Sequence, residues 1–337
     1  MKAIIMAGGE GRRLRSVSGE SPKPMVPFLG KPMMEHIILL LKAQGFTEIC
    51  AALRYKAEDI ESCFGDGSRL GVRLTYRREG EALGTAGAVK NCADFIGDED
   101  FLVISGDAAC DFELSELYRR HKASGAAASL ALYRDSEPLS YGLAVTDSGS
   151  MIRAFVEKPS WERVVTDLVN TGIYVLSPKI LPLIPDGRSF DFGKELFPLL
   201  LDRGEKLLGV ELSGYWCDVG TPLSYYKCCV DALEGRLRID IPESFRHSPA
   251  QNAKPQPDDS ALILDCDCRD RARMMSALST AMLDMGADYS DGIRLGRLHI
   301  APLSGRSALR VSVGGEDAEF ARSLAFSVKE LIEAIDL

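Results

Sequence analysis

Short apolar runs recur between amphipathic segments over about the first 130 residues. KAIIM, TEICAAL, GVRLTY, FLVIS and AAASLALY are rich in strand-forming residues. Between them, PMMEHIILLLKAQG, AEDIESCF and ELSELYRRHKASG carry apolar side chains at helical spacing, and a further helix follows the Gly-rich stretch EALGTAGAV. Strands alternating with helices predict right-handed crossovers and a Rossmann-like α/β fold, a mainly parallel sheet with helices on both faces. Ligands in such sheets bind beyond the carboxyl ends of the strands.

The rhythm then changes. YGLAVTD, MIRAFVEK and LVNTGIYVL lie close together and predict antiparallel additions that wall a pocket. PKILPLI and DFGKELFPLLLDRG read as helices and KLLGVEL as a strand, the short run YWCDVG follows, and a final helix runs over about 222–233. From Gly235 the apolar pattern stops, and RHSPAQNAKPQPDDS reads as a linker. The expected organisation is a domain over 1–235, a linker over 236–259 and a small α+β domain over 260–337, whose segments follow a β-α-β-β-α order.

Composition narrows the function. The 337 residues carry a formal net charge of -9, which argues against a nucleic-acid partner. Anionic ligands must therefore be drawn by a local cluster of positive charge. The nine cysteines are odd in number and scattered, and Met1-Lys2 lacks a signal-peptide pattern, so the expectation is reduced thiols in a cytoplasmic protein. Cys228-Cys229 and Cys266-Asp267-Cys268 lack the spacer of common zinc sites. Apolar runs such as Ile37 to Leu41 fall far short of the roughly 20 residues that span a bilayer, so no membrane partner is expected.

The opening loop, MAGGEGRRLR, is neither a P-loop nor a dinucleotide fingerprint. Gly8, Gly9 and Gly11 let backbone N–H groups converge on an anion, and Arg12, Arg13 and Arg15 supply positive charge. A plain turn with solvated arginines accounts equally well for these letters alone. Downstream, Pro22 and Pro24 hold Lys23 in a stiff, extended segment suited to a lysine aimed at a fixed target.

The order of this loop, then SPKPM, then KPMMEH resembles the start of the sugar-phosphate nucleotidylyltransferases, the NDP-sugar pyrophosphorylases. EALGTAGAV, ISGDAACD, SYGLAV, FVEKPS, LVNTGIYVL and YWCDVG follow in that family's order, so the resemblance covers about residues 1–235. Singly, each has an ordinary explanation. Asp107 caps a helix, Asp218 precedes a turn at Gly220, Glu157 and Lys158 pair on the surface, Asn170 turns and Tyr141 packs. Jointly they follow one pattern.

The resemblance implies transfer of a nucleotidyl group from an NTP to a sugar 1-phosphate, with pyrophosphate leaving and no covalent nucleophile. It implies Ala7, Gly8, Gly9, Gly11 and Arg12 around the nucleotide, with Gly84 and Thr85 reading its base. Arg13 and Lys23 would neutralise phosphate charge, and Asp107 and Asp218 would ligate Mg2+. Tyr141, Gly142, Glu157, Lys158 and Asn170 would hold the sugar phosphate, with Lys158 at its phosphate. The run from EKPSW to GYWCDVGTP looks most like the mannose-1-phosphate guanylyltransferases, which implies GTP and mannose 1-phosphate giving GDP-mannose. Relatives that use glucose 1-phosphate with UTP or dTTP, or heptose 1-phosphate with GTP, are the alternatives.

The chain departs from the pattern at Arg12, where the family usually carries threonine. A non-catalytic sugar-nucleotide sensor is the reading of another class that this raises. DGIRLGRLHIAPLSGRSALRV resembles the last domain of phosphomannomutases and phosphoglucomutases, but Pro302 to Ala308 lacks the leading arginine, the glutamate and the final proline of their phosphate loop. The expectation is a domain used for packing, homodimer formation or effector binding, not mutase chemistry.

Overall fold

The computed structural model of the chain describes residues 1–11, 14, 21–135, 138–160 and 164–241, and the strands 262–265, 298–302 and 308–313. It divides into two compact units, Met1–Gly220 with Glu234–Ile239, and Thr221–Leu233 with Asp240–Leu337.

The first unit opens on β1 (Lys2–Met6), then a two-residue ladder of β2 (Pro27–Phe28) with β3 (Lys31–Pro32), and α1 (Met33–Ala43). β4 (Glu48–Leu53), α2 (Ala57–Phe64), β5 (Arg73–Arg78), α3 (Gly84–Lys90), α4 (Ala93–Ile96) and β6 (Phe101–Ser105) follow. β1 pairs in parallel with β4 and with β6, and β4 pairs in parallel with β5. Side chains along each strand alternate between two cores: Ala3, Ile5, Ile49, Ala51, Leu102 and Ile104 face one, and Ile4, Cys50, Ala52, Phe101 and Val103 the other. Both faces are apolar because helices cover both, as an all-parallel segment requires. α1 buries Met33, Met34, Ile37, Ile38 and Leu41, a single stripe at helical spacing.

The antiparallel part comprises β7 (Ala108–Cys110), α5 (Leu114–Ser124), β8 (Ala128–Arg134), β9 (Gly142–Thr146), β10 (Ile152–Glu157), β11 (Leu168–Leu176), α6 (Phe197–Asp202), β12 (Leu207–Glu211) and β13 (Trp216–Asp218). β11 is its organiser. Val169 pairs with β8 and β9, whereas Tyr174 pairs with β8 and β6, so the strand opposite β8 changes between those residues. The register shifts there, at Asn170 to Tyr174, and this irregularity faces the end of β6. One addition is not antiparallel: β12 runs parallel to β8.

Two expected helices also differ. PKILPLI is a 3₁₀ stretch, Pro178–Leu183, with Pro182 inside it removing a backbone donor. DFGKELFPLLLDRG opens on a π-helical turn, Phe192–Leu196, and becomes α-helical at Phe197, next to a proline suited to a first turn.

In the second unit, α7 (Pro222–Leu233) matches the expected span. Three strands, β14 (Leu262–Asp265), β15 (Leu298–Pro302) and β16 (Ala308–Val313), form an antiparallel sheet in the order β14-β16-β15. The expected helices over 270–286 and 316–335, the linker beyond 241 and the loop over 303–307 lie outside the described residues. Among the described residues, Cys50, Cys63, Cys92, Cys110, Cys217, Cys228 and Cys229 are free thiols, and no helix is long and apolar enough to cross a membrane.

Candidate functional site

The loop after β1 lies at the carboxyl end of the parallel strands. The Ala7 amide donates to the Ala52 carbonyl at 2.9 Å, which carries the chain past β4 before it turns. Gly11 has φ +65°, and a Cβ there would lie 2.8 Å from Lys23 Cβ, so the loop packs directly on the lysine stem. Lys23 lies between Pro22 and Pro24 not in the extended segment expected but in a 3₁₀ turn, Lys23–Met25, with Pro22 alone extended and the turn closed by the Met25 amide on the Pro22 carbonyl at 2.8 Å. Arg12 and Arg13 lie outside the described residues.

The Lys23 ammonium ends between two carboxylates, 2.5 Å from Asp107 Oδ2 and 3.6 Å from Asp218 Oδ1. Asp107 stands two residues past the end of β6, and its other oxygen accepts a hydrogen bond from the Ser105 hydroxyl. Asp218 arrives from far along the chain because β13 pairs antiparallel with β7, placing it opposite Ala108. Asp111 fixes that pairing: its Oδ1 accepts the Tyr215 amide at 2.7 Å and its own amide donates to the Tyr215 carbonyl at 3.1 Å. Burial works to raise the Asp107 carboxyl, but the Lys23 charge and hydrogen bonds from Lys23 and Ser105 outweigh it and hold it below the usual aspartate range.

Two hard oxygen donors around a cation fit Mg2+, which is ordinarily held by one or two carboxylates with substrate phosphates completing the shell. Among the described residues no group of three or more His, Cys, Asp or Glu side chains converges, so a metal cage made wholly of protein side chains is absent there.

On one side of this centre, the segment 81–89 meets the π-helical turn. Gly84 has φ +71°, and a Cβ there would lie 2.7 Å from the Phe190 carbonyl oxygen. Thr85 Oγ1 donates to Asp191 Oδ2 at 2.8 Å and accepts from the Phe192 amide at 3.0 Å. Asp191 caps the Gly193 and Lys194 amides, while Glu195 accepts the Asp191 amide at 2.8 Å, a reciprocal cap. Glu79, one residue past β5, sits between this segment and the glycine loop. Its Oε2 accepts the Leu83 amide at 3.1 Å, and its Oε1 lies 3.0 Å from where a Gly8 Cβ would be. Burial raises its carboxyl above the usual glutamate range, against the Leu83 amide and the Arg54 charge.

On the other side, Tyr141, Gly142, Glu157, Lys158 and Asn170 line the fork at β11. Gly142 and Gly193 both press on one carboxylate: a Cβ on either would lie 2.7 Å from Glu157 Oε2. Burial raises the Glu157 carboxyl, the Asp191 charge adds to this, and Lys158 and Lys194 oppose it. Lys158 takes a left-handed φ of 42°, with its amide on the Tyr141 carbonyl at 3.2 Å. Asn170 Nδ2 donates to the Tyr174 hydroxyl at 3.0 Å, and its Oδ1 accepts the Gly172 amide at 3.2 Å. Trp216 links this wall to the carboxylates: its indole N–H donates to the Thr171 carbonyl at 3.2 Å and its ring meets Tyr141 edge-on at 5.1 Å.

The structure thus gathers Ala7 to Gly11 with Lys23, Asp107 and Asp218, joins Gly84 and Thr85 to the π-turn, and places the five remaining motif residues together. Ser105, inside ISGDAACD, and Trp216, inside YWCDVG, join them, as do Glu79 and Asp191, although the sequence singles out none of the four as a site residue. Their sequence signals are slight: a position at or just past a strand end for Ser105 and Glu79, and an Asp four residues before a Glu for the cap.

Residues 2–235 match the nucleotidyl transferase family. The chain is 37% identical over 256 residues to the UTP–glucose-1-phosphate uridylyltransferase of Synechocystis sp., covering 72% of this chain and 66% of that protein. It is 34% identical over 234 residues to the mannose-1-phosphate guanylyltransferase of Mycobacterium tuberculosis, covering 69% of this chain and 65% of that protein. The chain therefore spans just under two thirds of the length of these relatives. Its fold superposes on HddC from Yersinia pseudotuberculosis complexed with GMP-PN at a TM-score of 0.60 and 31% identity, covering 68% of this chain and 99% of that one.

Proposed function

We propose that this chain, which belongs to the nucleotidyl transferase family, joins GTP to mannose 1-phosphate, giving GDP-mannose and pyrophosphate. The observation that carries this reading is the placement of Lys23 between Asp107 and Asp218, beneath the glycine loop at the ends of β1 and β6.

A phosphate oxygen of the sugar 1-phosphate attacks the α-phosphorus of the triphosphate. The bond to the β-phosphate oxygen breaks in line, and pyrophosphate carries the electron pair away. The protein's task is to hold two polyanions together and offset the charge on the transferring group. In this reading Ala7, Gly8, Gly9 and Gly11 present amides to the triphosphate, with Lys23 and, by resemblance, Arg12 and Arg13 adding positive charge. Asp107 and Asp218 would hold Mg2+, which supplies further charge neutralisation at the phosphates when bound. Gly84 and Thr85 hold the base, while Tyr141, Gly142, Glu157 and Asn170 meet sugar hydroxyls and Lys158 the sugar's phosphate. The free thiols are compatible with a cytoplasmic setting.

Glu79 favours guanine. A half-buried carboxylate between the triphosphate loop and the base segment offers acceptors to the N1–H and N2–H2 donors of guanine. The Synechocystis relative supports a second pairing, UTP with glucose 1-phosphate.

The test is direct. The protein is incubated with Mg2+, each NTP and mannose, glucose or heptose 1-phosphate, with pyrophosphate followed continuously and the product identified by mass spectrometry. GTP with mannose 1-phosphate is expected to give the highest kcat/KM, and Asp107→Asn to abolish turnover. Absence of pyrophosphate with every pair would overturn the reading and leave nucleotide sensing as the alternative.

A further inference from the structure

A buried lysine wedged between two aspartates occupies the position where a cation is most strongly stabilised. We infer that the Lys23 ammonium is the resident counter-ion of the Asp107–Asp218 pair, and that a divalent cation binds by displacing it toward the substrate phosphates. The inference deepens the proposed function, since it rests on Asp107 and Asp218 as the metal ligands.

Asp107 has two side-chain oxygens, and each is engaged. Oδ1 accepts from Ser105, and Oδ2 lies 2.5 Å from Lys23 Nζ. The same ammonium reaches Asp218 Oδ1 at 3.6 Å, so one positive charge is shared by two negative ones. A metal ion needs oxygens from both aspartates, and those facing each other are the two that the ammonium faces. Ion and ammonium therefore compete for one position, and two cations do not share it.

The lysine is built to yield at its tip. Its stem is pinned by Pro22 and Pro24 and by Gly11, whose absent Cβ leaves room for Lys23 Cβ. The side chain is 10% exposed, so its direction is restricted along most of its length. Rotation about the last bonds moves the ammonium off the carboxylates without moving the backbone, while the stem stays packed against Gly11 of the glycine loop. An arriving divalent charge repels it, and the triphosphate bound at that loop attracts it. Metal binding and phosphate engagement are in this way one exchange: before substrate arrives, lysine offsets the carboxylates; afterwards, the metal does so and lysine offsets phosphate.

The nucleotide-free protein is titrated with Mn2+ and the free ion followed by electron paramagnetic resonance. Lys23→Met, similar in length but uncharged, is expected to bind Mn2+ about tenfold more tightly or better, because the competing charge is gone. Equal affinity in the two proteins overturns the displacement while leaving the metal site intact. Mn2+ binding by neither protein, with or without GTP, overturns the assignment of Asp107 and Asp218 and the displacement with it. A second measurement needs no variant: amine acylation of the unaltered protein, mapped by mass spectrometry, is expected to label Lys23 several-fold faster once Mg2+ is added. A labelling rate at Lys23 that Mg2+ leaves unchanged also overturns the exchange.

Discussion

Thr85 and Asp191 stand 106 positions apart and share a hydrogen bond of 2.8 Å. Asp191 in turn holds the Gly193 amide, and Gly193 backs onto Glu157. One pair of side chains therefore connects the segment assigned to the base with the carboxylate assigned to the sugar.

Thr85→Val keeps the shape of the side chain and deletes the hydroxyl. Asp191 Oδ2 loses its donor, and the Phe192 amide loses its acceptor. The Thr85–Asp191 bond is exposed and the Phe192 amide only partly buried, so water replaces much of what is lost and the cost is about 0.5–1.5 kcal/mol, the net worth of an ordinary hydrogen bond. The melting temperature is expected to fall, by roughly 2–4 °C for each kcal/mol in a domain of this size. Thr85→Ser retains the bond and most of the stability. A thermal melt of both variants decides the matter, and a Val variant as stable as the parent would show that the bond contributes nothing.

Gly142 and Gly193 test the sugar wall by addition. Alanine at either puts a methyl 2.7 Å from Glu157 Oε2, and at Gly142 also 2.6 Å from Phe155 Cζ. The carboxylate must move aside. KM for the sugar phosphate is expected to rise about tenfold or more, the effect of losing one charged hydrogen bond, while KM for the nucleotide changes little. Steady-state kinetics with each substrate varied in turn separates the two, and equal rises in both would remove Glu157 from the sugar side.

Much of this arrangement is legible in the chain. Buried apolar strands such as KAIIM and FLVIS dictate the parallel sheet, and the prolines around Lys23 announce a fixed lysine. What local pattern does not carry is pairing at long range. Asp107 and Asp218 meet because a three-residue strand, Trp216–Asp218, docks on another, Ala108–Cys110, too short to leave a periodic signal. The π-helical turn escaped for a related reason: FGKEL has the letters of an ordinary helix, and only Thr85 meeting the Asp191 cap shows what holds it. Glu79 is one charge among several in RREGE, and its importance comes from the glycine loop lying against it.

Glu79→Gln addresses the choice of base. The amide presents one acceptor and one donor where the carboxylate presents acceptors alone, so one of guanine's two donors loses its partner. kcat/KM with GTP is expected to fall by about 10- to 100-fold, corresponding to roughly 1–3 kcal/mol for one unsatisfied group. UTP, with a single ring N–H, is affected less, so the ratio of GTP to UTP turnover narrows. Competition between the two nucleotides in one reaction measures that ratio. An unchanged ratio would place the base elsewhere than against Glu79.

His121 sets a pH limit on the fold. Its ring is 2% exposed on α5, with Nδ1 2.8 Å from the Ser129 hydroxyl and Nε2 3.8 Å from Asp100 Oδ2. Burial lowers its pKa below the ordinary histidine value; Asp100 opposes this, and Lys122 and Lys179 reinforce it. The folded state thus keeps the imidazole neutral at pH values where the unfolded chain, with a pKa near about 6.5, takes up a proton. More protons on the unfolded chain mean that stability rises with pH, so this contribution is complete above about pH 6.5 and is lost as pH falls below it, at up to about 1.4 kcal/mol per pH unit. Asp107 and Asp111, held below the usual aspartate range, act in a separate window that begins near about pH 3.9 and runs downward. Urea unfolding from pH 7.5 to 5.5 is expected to show a midpoint that drops with pH in the unaltered protein. In His121→Gln, which keeps a polar group toward Ser129 but cannot titrate, that slope disappears; an identical slope in the variant would assign the pH dependence to other groups.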